Sequence, residues 1–186
     1  MGRSPIVVSP YDAELYGHWW FEGPKFLNFL IRHVSKQNIY KLINPSEYLY
    51  NNPVNQLAEP SPSSWGAKGY NSYWINPNND FIYRHLNTIA EKMVSAAHLH
   101  QEPYPLEKRA LNQMARELLL AQSSDWAFIL QTGTMPEYAA KRTRTHVHRF
   151  NKLHDMVKRG EIDDIWLSKI EYVDNIFPEI DYNVYK

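Results

Sequence analysis

The sequence predicts a mainly α fold: a C-terminal helical bundle preceded by one or two short strands. Apolar residues recur at helical spacing through most of the second half of the chain. Only two runs, SPIVVSP and NIYKLI, have the length and apolar content of a strand. Between these regimes lies a long stretch, residues 52–78, rich in Pro, Ser, Asn and Gly.

Taken in order, SPIVVSP brackets an apolar run between prolines and reads as a buried strand, Pro5–Val8. EGPKFLNFLIRHVSKQ reads as a helix. Gly23 and Pro24 supply its turn and first-turn proline, and Phe26, Phe29, Leu30 and Val34 form an apolar stripe. NIYKLI reads as a second short strand. NPSEYLYNN reads as a short helix with Asn44 as cap and Pro45 first inside. The 52–78 stretch is a loop by local signal. Trp65, Tyr70, Tyr73 and Trp74 argue that it is ordered, because disordered segments are poor in aromatics.

The remainder is helical. Residues 79–99 place Ile82, Leu86, Ile89 and Met93 on one face, and residues 105–121 do the same with Leu106, Ala110, Met114 and Leu118. Ser123 or Ser124 caps a short helix through DWAFILQ, within which Trp126 packs in the bundle. Residues 136–159 form a long helix with Ala139, Phe150, Leu153 and Val157 inward and Gly160 as its stop. DDIWLSKIEYVDNIF supplies one more helix, and PEIDYNVYK is a short tail, lying on the surface or packed as an extended segment. No internal repeat is visible.

Composition removes several function classes. A chain of 186 residues suits one ordinary domain. Lys plus Arg and Asp plus Glu both number 20, a formal net charge of zero, which argues against nucleic acid and anionic membrane as partners. The absence of cysteine excludes disulfides and thiolate zinc sites. No apolar run approaches the roughly 20 residues that span a bilayer. The N-terminal MGRSPIVVSP is not a secretory signal, so a soluble cytoplasmic protein is expected. His146 and His148 stand two apart and diverge on a helix, and His98 and His100 sit at a helix end with no carboxylate motif beside them. No metal site and no cofactor are expected. The basic run KRTRTHVHRFNK reads as a solvated face, with Lys141, Arg142, Arg144, Arg149 and Lys152 spread around the helix. The chain is unusually aromatic, with 13 Tyr, 7 Phe and 6 Trp. Most of these fill the core, but flat rings with a polar edge also suit sugars, which present an apolar C–H face ringed by hydroxyls.

The densest chemistry lies in SPYDAELYGHWWFEGP, which gathers Asp12, Glu14, His18, Trp19 and Trp20 directly after the first strand. Read from the residues alone, Asp12 caps a turn. This stretch resembles the fourth conserved region of glycoside hydrolase family 57, in particular of its 1,4-α-glucan branching enzymes. PSSWGAKGYNSYW and ARELLLAQSSDWAFILQTGT resemble later motifs of that family in the same order, and FPEIDY resembles its tail. The resemblance covers nearly the whole chain. It implies an incomplete (β/α) barrel of seven strands followed by a C-terminal helical domain, of which this chain is the end. Residues 1–43 would be the last barrel strand and helix with the acid/base motif, 44–78 a substrate-site loop, and 79–186 the helical domain.

The resemblance further implies retaining chemistry on α-1,4-glucans by two carboxyls, a Glu nucleophile and an Asp general acid/base. Asp12 aligns with the acid/base. The nucleophile belongs to an earlier motif of which this sequence has no copy. Glu14, in an extended segment, would face the same side as Asp12, but two residues so closely tied cannot flank one bond. Glu14 and His18 are expected to orient neighbours, and Trp19 and Trp20 to line the sugar site or pack beneath it. Trp65 and Trp74 align with family tryptophans that contact glucan, and Asp125 with an acceptor-binding carboxylate; by position alone Asp125 is a first-turn carboxylate favoured by the helix dipole. The implied partners are an α-1,4-glucan, such as amylose or a glycogen-like polymer, and the missing N-terminal barrel, in the same or a separate chain. The alternative is a non-catalytic module that grips glucan or docks a barrel.

Overall fold

A computed structural model describes residues 5–186, the His18 side chain excepted. The chain divides into two compact units, Met1–Pro60 and Ser61–Lys186.

In the first unit, a π-helical turn at Leu15–Trp19 leads into α1 (Gly23–Gln37), followed by α2 (Pro45–Asn51). Pro24 opens α1 and Asn38, in the left-handed conformation at φ 51°, ends it. Asn44 caps α2 as expected: its side chain accepts the Glu47 N–H at 2.8 Å, and Pro45 sits first inside. The two expected strands are corrected. Pro5–Val8 is irregular and exposed, Val7 at 89%, and NIYKLI is a turn and coil. No strand exists among the described residues. A strand needs a neighbour to take up its N–H and C=O groups, and no described segment supplies one. The stripe of α1 is equally uncovered within this unit. Val34 is buried, whereas Phe26 and Phe29 are exposed.

The second unit opens with the loop, which carries two short 3₁₀ turns, Ala67–Gly69 and Asn71–Tyr73. The bundle follows: α3 (Phe81–Leu99), α4 (Pro105–Ala121), α5 (Ser124–Thr132), α6 (Pro136–Arg159) and α7 (Asp164–Val173). Helices α4 and α6 form the central pair, with α3 and α5 packed on them. The faces read from the sequence are the buried ones. Ile82, Leu86, Ile89 and Met93 of α3 meet Ala110, Met114 and Leu118 of α4 and Ala139, Phe150, Leu153 and Val157 of α6 in one core. Gly133 and Gly160, both at φ 70°, stop α5 and α6 in the left-handed conformation.

The tail packs rather than floats. Arg116 donates to the carbonyls of Ile176 at 3.0 Å, Phe177 at 3.4 Å and Pro178 at 2.9 Å. Tyr182 is buried in the core, its N–H on Asn112 Oδ1 and its hydroxyl on the His100 carbonyl at 2.6 Å.

Candidate functional site

In the first unit, Asp12 is exposed at the entry to the π-helical turn. Its Oδ1 accepts the Glu14 N–H at 2.9 Å and its carbonyl accepts the Leu15 N–H at 3.2 Å, so the side chain does cap a turn. The segment is helical rather than extended: Glu14 lies at φ −60°, ψ −33°. Asp12 and Glu14 are therefore not stacked on one face. The i→i+5 bond from the Trp20 N–H to the Leu15 carbonyl, 2.8 Å, gives the turn its π character, a feature frequent at functional sites.

Beneath the turn runs a ladder of rings. Tyr11 and Tyr16 are 5.8 Å apart, Tyr16 and Trp20 6.0 Å, Trp20 and Phe26 5.0 Å. Trp20 thus packs, while Trp19 is exposed. Gly23 permits the close approach. A Cβ there would sit 3.0 Å from Tyr16 Cδ1 and 3.3 Å from Trp20 Cε3. The His18 side chain lies outside the described residues.

In the second unit, Trp65 rides on a loop tied to itself. Ser64 Oγ donates to the Tyr70 carbonyl at 2.6 Å and accepts the Gly66 N–H at 3.0 Å, and the Ser64 N–H reaches the Gly69 carbonyl at 2.9 Å. Gly66 is held so tightly that a Cβ would meet the Tyr70 carbonyl oxygen at 2.6 Å and Trp74 Nε1 at 3.3 Å. Those contacts bring the Trp65 loop and Trp74 together. Trp65 is 83% exposed. Trp74 is half-buried, its ring 6.3 Å from Phe128 of α5. Tyr83 donates its hydroxyl to the Trp74 carbonyl. Phe128 lies one turn beyond Asp125, so the loop residue Trp74 packs against the same helix, α5, that carries Asp125. Asp125 is exposed in the first turn, and its Oδ2 accepts the Ser123 hydroxyl at 2.6 Å. Ser123 is the N-cap residue, but its side chain serves Asp125 instead of the helix amides. Trp126 packs in the bundle as expected, with Nε1 on the Leu120 carbonyl at 2.7 Å.

Two residues were not singled out by sequence. Asn79, fully buried, donates to the carbonyls of Tyr73 at 2.9 Å and Ala127 at 3.2 Å, and accepts the Asn76 N–H at 2.9 Å. It clamps the aromatic loop onto α5. By sequence it is simply the first residue of the 79–99 helical stretch, outside its apolar face, and only the fold buries it. Glu117 is buried on α4 facing His146 of α6, with Oε2 2.7 Å from Nδ1 and Oε1 accepting from Gln113 at 2.9 Å. With Asp174 these residues place three potential metal-ligand atoms within 4.8 Å. Both Glu117 oxygens and His146 Nδ1 already have protein partners, and Arg149 pairs with Asp174. The cluster is thus built as a hydrogen-bonded network. Burial pushes the Glu117 carboxyl pKa up, and the bonds from His146 and Gln113 counter it in part.

Comparison with known proteins shows what the chain is similar to. The family profile described as "1,4-alpha-glucan branching enzyme, C-terminal" matches residues 85–185, more than half of the chain. The chain belongs to this family. The 1,4-alpha-glucan branching enzyme TK1436 of Thermococcus kodakarensis is 34% identical over 95% of this chain and 27% of its own length. A crystal structure of TK1436, a GH57 branching enzyme, matches with a TM-score of 0.72 at 33% identity, covering 99% of this chain and 34% of that one. The GH57-type branching enzyme of Pyrococcus horikoshii matches with a TM-score of 0.70 at 36% identity, over 99% and 35%. AmyC of Thermotoga maritima, an α-amylase, matches with a TM-score of 0.64 at 45% identity, over 100% and 34%. The chain thus spans 27–35% of the length of these relatives. The mainly α fold is the one this branching-enzyme family shares, and no described helix is long and apolar enough to cross a membrane.

Proposed function

We propose that the chain is the C-terminal portion of a retaining α-glucan-active enzyme, a 1,4-α-glucan branching enzyme that cleaves α-1,4 links and forms α-1,6 branches. The family match over residues 85–185 carries this reading, and the Asp12 motif ahead of it supports it. Asp12 is the general acid/base. It protonates the leaving glycosidic oxygen, then takes the proton of an acceptor 6-hydroxyl as that oxygen attacks the glycosyl-enzyme. The nucleophile comes from a barrel outside this chain, about 5 Å from the acid/base in the assembled site. The Glu14 N–H holds Asp12 Oδ1, and among the described residues nothing pairs with Oδ2, which leaves it to face the substrate. Trp65 offers an exposed stacking face, Trp74 a braced one, and Asp125 a carboxylate for an acceptor hydroxyl.

Exposed apolar side chains in the first unit, among them Val7, Val8, Phe29 and Ile31, fit coverage by such a barrel. They fit equally a module that docks a barrel without doing chemistry, and the two readings separate in one experiment. Joined to the N-terminal portion that its relatives carry, the chain should branch amylose, and Asp12→Asn should lower the rate by about 10²–10⁴-fold. The isolated chain should leave iodine staining of amylose unchanged. A rate that Asp12→Asn leaves intact would favour the docking module; branching by the isolated chain would overturn the missing-nucleophile argument. The 45% identity to the amylase AmyC favours a second outcome, hydrolysis, which release of reducing ends without new α-1,6 links would reveal.

A further inference from the structure

Helix α6 carries a basic stripe that the glucan reading does not use. Lys141, Arg144, Thr145, His148, Arg149 and Lys152 recur at the helical repeat and, with Trp166 of α7, line one cleft of about 400 Å³. This corrects the expectation that these cations spread around the helix. Only Arg142 departs, lying over the Trp126 ring at 5.9 Å.

We propose that this cleft binds a phosphate group, free or carried on a hexose. No carboxylate lines it among the described residues. Lys141, Arg144 and His148 are exposed and make no ion pair with a described residue. Glu137, one turn before Lys141 on the same face, is no exception. In a chain with zero net charge, so local an excess of cations focuses positive potential where the helix walls exclude part of the solvent. The cations are also braced. Arg144 lies 5.9 Å from the Phe81 ring centroid, and the Lys152 ammonium 3.8 Å from that of Trp166. Arg149 pairs with Asp174, so its placement comes from the bundle itself.

A guanidinium fork and an ammonium one turn apart match a phosphate dianion better than a single charge would. Thr145 donates its hydroxyl to the Lys141 carbonyl at 2.8 Å, which leaves its oxygen as an acceptor beside the anion site. That acceptor suits a hexose hydroxyl. The phosphate rests on the cleft alone; the hexose rests also on the glucan reading.

The test is an NMR titration of the whole chain at pH 7 and constant ionic strength, with inorganic phosphate and with glucose 6-phosphate, sodium chloride serving as the reference anion. Saturable shifts are expected at residues 141–152 and at the Trp166 indole, with a dissociation constant on the order of millimolar. In Lys141→Glu/Arg144→Glu, exposed positions where the fold is not at risk, binding should weaken at least tenfold, and His148→Ala should weaken it less. Tighter binding of glucose 6-phosphate identifies a phosphorylated sugar as the ligand; equal binding identifies free phosphate. Shifts that follow chloride without saturating, or an unchanged affinity in the double variant, overturn the proposal. Branching activity is not the readout, so failure here leaves the glucan reading untouched.

Discussion

Replacing Asn79 should show how the aromatic loop is held. Its side chain makes three hydrogen bonds from a fully buried position, to the Tyr73 and Ala127 carbonyls and from the Asn76 N–H. A net bond is worth about 1 kcal/mol, and a buried group left unpaired costs about 1–3 kcal/mol. The Ala127 carbonyl lies within α5 and keeps a helical partner, and the Tyr73 carbonyl keeps a long bond from Asn76 Nδ2 at 3.4 Å; the Asn76 N–H does not have that recourse. Asn79→Ala should therefore cost about 3 kcal/mol. Asn79→Asp should cost at least as much, because it keeps the acceptor but turns both donors into lone pairs facing carbonyls. The neighbouring Asn78 makes one exposed bond, to Gln131 at 3.2 Å, and its alanine variant should cost below about 1 kcal/mol. Urea unfolding followed by far-UV circular dichroism, with linear extrapolation, measures all three. If Asn79→Ala costs no more than Asn78→Ala, Asn79 is not the clamp and another contact holds Trp74 beside α5.

The two tryptophans should separate in stability. Trp65→Ala, at an exposed ring, should stay within about 0.5 kcal/mol, whereas Trp74→Ala should lose about 2–4 kcal/mol of packing against Phe128; equal losses would contradict their placement. Gly66→Ala would push a Cβ to 2.6 Å from the Tyr70 carbonyl oxygen, so it should loosen the loop and raise its amide hydrogen exchange around residues 64–70, and unchanged exchange would refute the close approach. Glu117 bears on pH. A carboxyl whose folded pKa is raised contributes stability that is full below its ordinary value, about 4.3, and is lost as pH rises through the folded value. The stability of the wild type relative to Glu117→Gln should thus decline from pH 4 towards 7, and a difference that grows with pH in parallel urea titrations would reverse the sign.

Helix faces were legible because they depend on spacing along one chain. Ile82, Leu86, Ile89 and Met93 repeat every three or four residues, and any partner helix would bury that side. The Asn44 cap and the Gly160 stop are local for the same reason: they satisfy backbone groups within a few residues of themselves. Motif order in SPYDAELYGHWW and SSDW was legible as pattern, and it pointed to the family before any contact was known. Pro5–Val8 failed as a strand because β structure is a relation between segments, and no described segment pairs with it. Asn79, Glu117 and His146 became buried polar anchors only where α3, α4, α5 and α6 met, since burial depends on which helices close over a position rather than on the residue type. The basic run shows both levels at once. Its charges and their helical repeat are written in the sequence, but the presence of Trp166 of α7 beside them was decided by the tertiary packing, which no spacing along α6 could express.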